Sequence, residues 1–287
     1  MVSSIGLLSF VVKDGKRMYF SLAMIFFSFN ILAEDNEAKP LWEIGIITAG
    51  FVTPEYPASD KQHFNPIVVP YFVYRGEILR IENGSAKAVV VENESFELDI
   101  SFNGSFNASS NEASLRQNMP DLDYLFEVGP QLIIPLASFE FENNSKGKLF
   151  FNGKLRGAFA TDLSSIDHKG YVFQPELAYE HSNLLDNRLV YRIKIAPTWV
   201  TEELNDYFYQ VDSEYVTENR PLYNAEKGYV GTSIMTNLDY QITEAVKLFS
   251  FVKFDFHSGA KNSESPLFAA KQTHAFGIGI SWRLKTE

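Results

Sequence analysis

No cysteine occurs among the 287 residues. Disulfides, thiolate metal sites, Cys nucleophiles and an acylated N-terminal lipoprotein cysteine are therefore excluded, and an exported form of this chain must be stable without covalent staples. Basic charge is also in short supply: 25 Lys and Arg face 36 Asp and Glu, a formal charge of −11. The first 33 residues hold Lys13, Lys16 and Arg17 against Asp14, a surplus of two positive charges, so the remainder carries −13. A nucleic-acid partner would require a basic surface, and none is expected here. Long apolar runs are missing after Ala33, which argues against a helical membrane protein, whose spans need ~20 apolar residues. A sustained period of 3.6 is missing too, so helices should be scarce.

Aromatic residues are what the chain has in abundance. With 25 Phe, 14 Tyr and 3 Trp they make up 15%, although hydrophobic residues total only 45%. Such a chain is rich in strand formers without being greasy overall. Tyr19–Leu32 is a largely apolar run preceded by Lys16-Arg17 and followed by Ala33 and the polar stretch Glu34–Lys39. These are the basic, apolar and small-residue parts of a cleaved secretory signal, and the run is short of a membrane span. Residues 1–33 are read as the signal, with Met18 as an alternative start, and 34–41 as a short periplasmic lead.

The rest alternates with period two. In Leu189–Val200 one face carries Leu189, Tyr191, Ile193, Ile195, Pro197 and Trp199, and the other carries Arg192, Lys194, Ala196 and Thr198. Phe96, Leu98, Ile100 and Phe102 likewise oppose Glu97, Asp99, Ser101 and Asn103, and Leu149, Phe151, Leu155 and Phe159 oppose Asn152, Lys154 and Arg156. A soluble sandwich also alternates. Here, however, the segments are long enough to span hydrocarbon at a tilt (~9–11 residues) and nearly every polar face holds ions. The fold class expected is all-β, a transmembrane antiparallel up-and-down barrel over 42–284, with 285–287 as a C-terminal tail, in the outer membrane of a Gram-negative bacterium.

The spacing predicts twelve strands, near Trp42–Val52, Pro66–Arg75, Ile78–Glu82, Ala86–Val91, Phe96–Asn107, Leu122–Leu136, Lys148–Thr161, Gly170–His181, Arg188–Val200, Tyr229–Gln241, Val246–His257 and Thr273–Leu284. If the short third and fourth are only an excursion, the count is ten. Connections after odd strands, among them Thr53–Asn65, Ala108–Asp121, Thr201–Gly228 and Ser258–Gln272, are the longer ones and should face outward. Ala137–Gly147 is an exception to that asymmetry. In the last strand Phe276, Ile278, Ile280, Trp282 and Leu284 alternate with small or polar residues, resembling the C-terminal strand by which outer-membrane barrels are recognised for insertion. The candidate lumen charges are Glu97, Asp99, Arg156, Arg192, Lys194, Asp239, Lys253 and Asp255.

Four strings, "PEYPASDKQHFNPIVVPYFVYRGE" (Pro54–Glu77), "MPDLDYLFEVGP" (Met119–Pro130), "KGYVFQPELAY" (Lys169–Tyr179) and "DYFYQVDSEYVTENRPLYNAEKGYVGT" (Asp206–Thr232), resemble the MipA/OmpV family of outer-membrane proteins in order and spacing. The resemblance implies a barrel that scaffolds peptidoglycan machinery, with a lytic transglycosylase and a penicillin-binding protein as partners. Other members look like adhesins or porin-like proteins, so a host or surface ligand, or a small-solute channel, is the alternative. Lipid and lipopolysaccharide are the surroundings in each case. The family supplies no catalytic residues to carry over.

Thr201–Gly228 is too long for a routine hairpin and is either functional or a plug for the lumen. Its candidate contacts are Asp206, Tyr207, Phe208, Tyr209, Asp212, Tyr215, Arg220 and Tyr223, because aromatics beside carboxylates suit a protein or glycan surface. No cofactor or metal site is expected: His63, His168, His181, His257 and His274 fall in separate segments without ligand spacing. A lipid-modifying barrel enzyme is a remaining alternative, for which Asp167-His168 beside Ser164-Ser165 is the one local cluster. No enzymatic activity is expected.

Overall fold

Each alternating segment forms a strand in the computed structural model, which describes residues 41–286 apart from 76–78, 83–84, 89–90, 93–95, 106–107, 109, 111–114 and 142–143. The expected signal lies outside the described residues. Ten long antiparallel strands carry the wall: β1 (Trp42–Pro54), β2 (Gln62–Arg75), β6 (Glu97–Ser105), β7 (Tyr124–Glu140), β8 (Lys146–Thr161), β9 (Ile166–Asn183), β10 (Leu189–Val200), β11 (Gly228–Thr243), β12 (Val246–Phe256) and β13 (Gln272–Thr286). Between β2 and β6 lie the short pieces β3 (Leu79–Glu82), β4 (Ser85–Ala88) and β5 (Val91–Glu92). The expected third and fourth strands are therefore an excursion, and twelve is corrected to ten. Four residues cannot cross ~30 Å of hydrocarbon, so β3 and β4 pair only as a small hairpin at the foot of β2.

Neighbours in sequence are neighbours in the sheet, whose order runs β4-β3-β2-β1-β13-β12-β11-β10-β9-β8-β7-β6-β5. The first long strand also pairs with the last, from Glu43↔Thr286 to Val52↔Phe276. The sheet curls far enough that Cα atoms of β4 and β6 come within 8 Å. This is the solution lipid imposes, since unpaired backbone groups are costly where no water can satisfy them.

Polarity is inverted relative to a soluble protein. Phe151, Leu155, Phe173, Leu177, Ile193, Ile195, Val252, Phe254 and the insertion-strand residues Phe276, Ile278, Ile280, Trp282 and Leu284 are all exposed. Asp99, Glu127, Gln131, Asn152, Lys154, Arg156, Glu176, Glu180, Arg192, Asn237 and Asp239 are all buried. The greasy face thus meets lipid and the ionic face lines the lumen. A second, apolar stretch of lumen wall is formed by Ala49, Phe51, Phe249, Phe251 and Ala275. Its rings lie over Gly277 and Gly279 of β13, where an added Cβ would fall 2.4 Å from Phe51 Cδ1 and Phe249 Cζ respectively.

Both barrel ends of the chain, Trp42 and Thr286, sit at one end, the periplasmic one in barrels of this kind, so the long connections after β1, β6, β10 and β12 share the outer end. The expected exception disappears. β7 continues past a register shift between Pro135 and Ala137 to Glu140, so only five residues separate it from β8 at Lys146. Proline cannot donate to the ladder, so the strand bulges there rather than ending. The periplasmic turn after β9, α1 (Leu184–Asn187), is left-handed, with positive φ at Asn183, Leu185, Asp186 and Asn187.

Candidate functional site

Along the inner wall, β7 to β11 place alternate side chains side by side, and period two brings opposite charges into register. Arg156 Nε donates to Glu127 Oε2 at 2.8 Å, and its remaining nitrogens reach Ser101 Oγ (3.3 Å) and Gln174 Oε1 (3.1 Å). Lys154 Nζ and Asn152 Nδ2 donate to the two oxygens of Glu176 at 2.7 and 2.8 Å. Arg192 bridges two carboxylates, Glu180 and Asp239, at 2.6 Å each. The expected lumen residues Asp99, Arg156, Arg192 and Asp239 are buried, while Glu97, Lys194, Lys253 and Asp255 are half-buried on the same inward face. Lys253 pairs with Asp255 at 3.0 Å. Glu127, Glu176 and Glu180 complete these pairs, and Gln131 and Asn237 are buried on the same inward face; the alternation along β7, β9 and β11 carries the signal for all five. Groups this buried describe a lumen filled by its own side chains over this stretch.

At the outer end the long connections fold together into a cap with its own core. Tyr56, Met119, Leu122, Leu204, Phe208, Tyr209, Val211 and Leu267 are buried in it, with Tyr207, Tyr215, Tyr223 and Phe268 packed alongside. Helix α2 (Glu202–Tyr209) supplies Leu204, Asn205, Phe208 and Tyr209 from one face. In the sequence its signals are the Leu204/Phe208 spacing of four and the acidic pair after Thr201. Its first turn holds Glu202 and Glu203, which suits the positive end of a helix.

Hydrogen bonds weld the connections to each other. Tyr209 Oη donates to Pro57 O (2.7 Å), Tyr56 Oη to Leu267 O (2.8 Å) and Ser265 Oγ to Tyr209 O (2.8 Å). Arg220 donates to the carbonyls of Tyr215, Leu115 and Gln117 at 2.9, 2.8 and 3.0 Å, and Arg116 Nη1 to Phe208 O at 3.1 Å. Asn262 accepts from Glu226 N (2.9 Å) and from Tyr223 Oη (3.1 Å), and returns a bond to Glu226 O (2.8 Å). Tyr207 Oη accepts from Asp123 N at 2.7 Å, with Lys169 Nζ 5.4 Å above its ring.

The candidate contact residues therefore divide. Phe208, Tyr209 and Arg220 are buried, so the expectation that they form contact surface is corrected: they hold the cap together, the rings by packing and the guanidinium by donating to carbonyl oxygens. Tyr207, Tyr215, Tyr223 and Asp206 are half-buried, and Asp212 is exposed. Burial pushes the Tyr56 and Tyr207 phenols up to about 12. Burial, then the neighbouring Glu202 and Glu203, also raises Asp206. The local Ser/His cluster does not assemble: Ser164 Oγ donates to Asp162 at 2.8 Å, whereas His168 lies 5.3 Å from the ring of Phe159 and 4.8 Å from that of Tyr171. Among the described residues no group of three His, Asp or Glu side chains is placed to hold a metal ion.

The sequence pattern of the family described as "MltA-interacting protein MipA" matches residues 46–284. No curated protein matches the chain. Among solved structures it is similar to the NanC porin (9% identity, TM-score 0.37, covering 83% of this chain and all of the other). It is also similar to an outer membrane channel from Pseudomonas putida F1 (12%, 0.37, 89% and all of the other) and to outer membrane phospholipase A from Escherichia coli (13%, 0.35, 87% and 93%).

Proposed function

The chain belongs to the MipA family, and from that premise we propose that this outer-membrane barrel works by protein contact, as a scaffold that holds peptidoglycan-remodelling enzymes at the periplasmic side of the membrane. The family is described by a protein that interacts with MltA; a lytic transglycosylase and, with it, a penicillin-binding protein are the partners assigned here. The observation that carries the reading is the occupied interior. Ion pairs with side chains exposed by at most 11% fill the lumen between Glu127 and Asp239, and a cored cap covers the outer mouth. A barrel so filled has its rims, rather than its bore, free for work. The same reading assigns no catalytic step and no cofactor.

Crosslinking in intact cells followed by mass spectrometry tests it. Recovery of murein-remodelling enzymes is expected, whereas recovery of external ligands alone would sink the scaffold. That second outcome would favour the adhesin reading, for which the specific observation is the exposed outer face of the cap: Glu202, Glu203, Asp212, Glu214 and Glu218 all point to solvent.

A further inference from the structure

We propose that His257 is a proton-operated latch that ties the β1–β2 connection to the outer cap and releases it when the outside turns acidic. The residue follows β12 directly and is 3% exposed. Its Nδ1 stands 3.0 Å from the carbonyl oxygen of Val230 on β11. A carbonyl only accepts, so Nδ1 carries the hydrogen and Nε2 keeps its lone pair. That lone pair receives the backbone N–H of Ala58 at 3.2 Å and faces Thr273 Oγ1 on β13 at 3.0 Å. One neutral ring thereby joins three segments far apart in sequence.

The element it holds is under tension. Ala58 is fully buried with φ of 61°, a left-handed conformation that costs a non-glycine residue about 1 kcal/mol or more. It stays there because its N–H is held by the imidazole while its carbonyl accepts from Ala269 and Ala270 at 3.0 and 2.9 Å. A proton on Nε2 would set an N–H against the Ala58 N–H. Thr273 can turn its oxygen to accept, but Ala58 cannot, so the latched ring takes up a proton less readily than the released one.

Charges around the ring leave it to act. On its own strand Asp255 and Lys253 pair with each other at 3.0 Å. From the β1–β2 connection come Glu55, held by His63 at 2.6 Å, and the exposed Asp60 and Lys61. The phenols of Tyr56 and Tyr209 are engaged with carbonyls. β11 meets the ring through Val230 and Gly231, and β13 through Thr273, with His274 turned outward. Phe268 from the β12–β13 connection stands edge-on at 6.2 Å, in a segment whose charges, Lys261, Glu264 and Lys271, are exposed. Burial holds the ring below the ordinary histidine range, against smaller opposing effects of the Val230 carbonyl and Asp255.

The direction of the pH response is set by these contacts. Above pH ~6.5 the ring is neutral in both the latched and released states, and protons favour neither. Below it the released, solvated ring binds a proton that the latched ring does not, so the released fraction grows about tenfold per pH unit until the latched ring also titrates.

The absence of cysteine allows a clean test on the whole folded protein in lipid vesicles. Spin labels on Asp60→Cys and Ser263→Cys, both exposed positions, report the distance between the two connections. One short distance is expected at pH 7.5, joined by a longer population as pH falls to 4.5. The same pair carrying His257→Gln should give one distribution at both pH values. An unchanged distance in the wild-type background, or a pH response that survives His257→Gln, would overturn the latch. Nitrogen NMR of the imidazoles gives a second arm that does not depend on any variant: a charged or Nε2–H ring for His257 at pH 7.5 would overturn it equally.

Discussion

Gly279 faces the lumen on β13, where the ring of Phe249 lies over its backbone: a Cβ there would fall 2.4 Å from Phe249 Cζ, 2.5 Å from Ala49 Cβ and 2.8 Å from Thr48 O. The ring tip can swing away but the carbonyl cannot, so Gly279→Val should destabilise the barrel by about 1–3 kcal/mol, the usual range for overpacking. A lower urea midpoint for loss of the compact gel form would register it. Arg192 tests the opposite face of the lumen. Replacing it with Met strands Glu180 and Asp239 in a buried site, and removing one partner of such a cluster costs about 3–5 kcal/mol. Adding Glu180→Gln and Asp239→Asn should restore most of that midpoint, because the cost lies in the uncompensated charge. If the triple variant is no better than Arg192→Met, the buried ion pairs are not what the guanidinium satisfies.

At the level of the strand, side-chain parity decides which substitutions the membrane notices. Ile278 is among the most exposed apolar residues of β13, with Gly277 and Gly279 on the buried side. Ile278→Arg should cost about 2–4 kcal/mol in a bilayer if this position lies near the midplane. Ser281→Arg, on the half-buried inward face toward the periplasmic end, should cost much less. Equal midpoints for the two would contradict the orientation of β13 and, through its register with β1 and β12, that of its neighbours. The same parity explains why the strand segments are legible in the sequence: each residue's face is set by its own position in a two-residue repeat. The bulge at Pro135 is less legible, because whether a proline ends a strand or kinks it depends on the partner strand continuing opposite.

For the whole molecule, the capped and ion-filled interior has an electrical consequence. In planar bilayers at neutral pH the wild-type barrel should conduct near baseline. The Arg192→Met variant with its two neutralised partners should conduct no more unless the cap is also released. Steady wild-type conductance at pH 7.5 would restore the porin-like reading. Acid-dependent conductance that His257→Gln abolishes would join the latch to the lumen. These outcomes belong to the assembled barrel, since no single strand or loop defines a closed interior.

The amino-acid sequence alone determined the class of fold, the facing of each strand and the candidate lumen charges, because alternation in lipid is a local rule that every residue obeys without reference to distant ones. Phe276 to Leu284 and Arg192 with Lys194 were assignable on that basis. Tertiary structure decided the rest. The strand count fell to ten because the described residues between β2 and β6 form only short pieces at the sheet's ends. The tyrosine-rich connection became a cored cap because Phe208 and Tyr209 found apolar partners on three other connections. His257 became a junction because Val230, Ala58 and Thr273 meet around it. Contacts of that kind join residues as far as 211 positions apart, and no repeat along the chain encodes them.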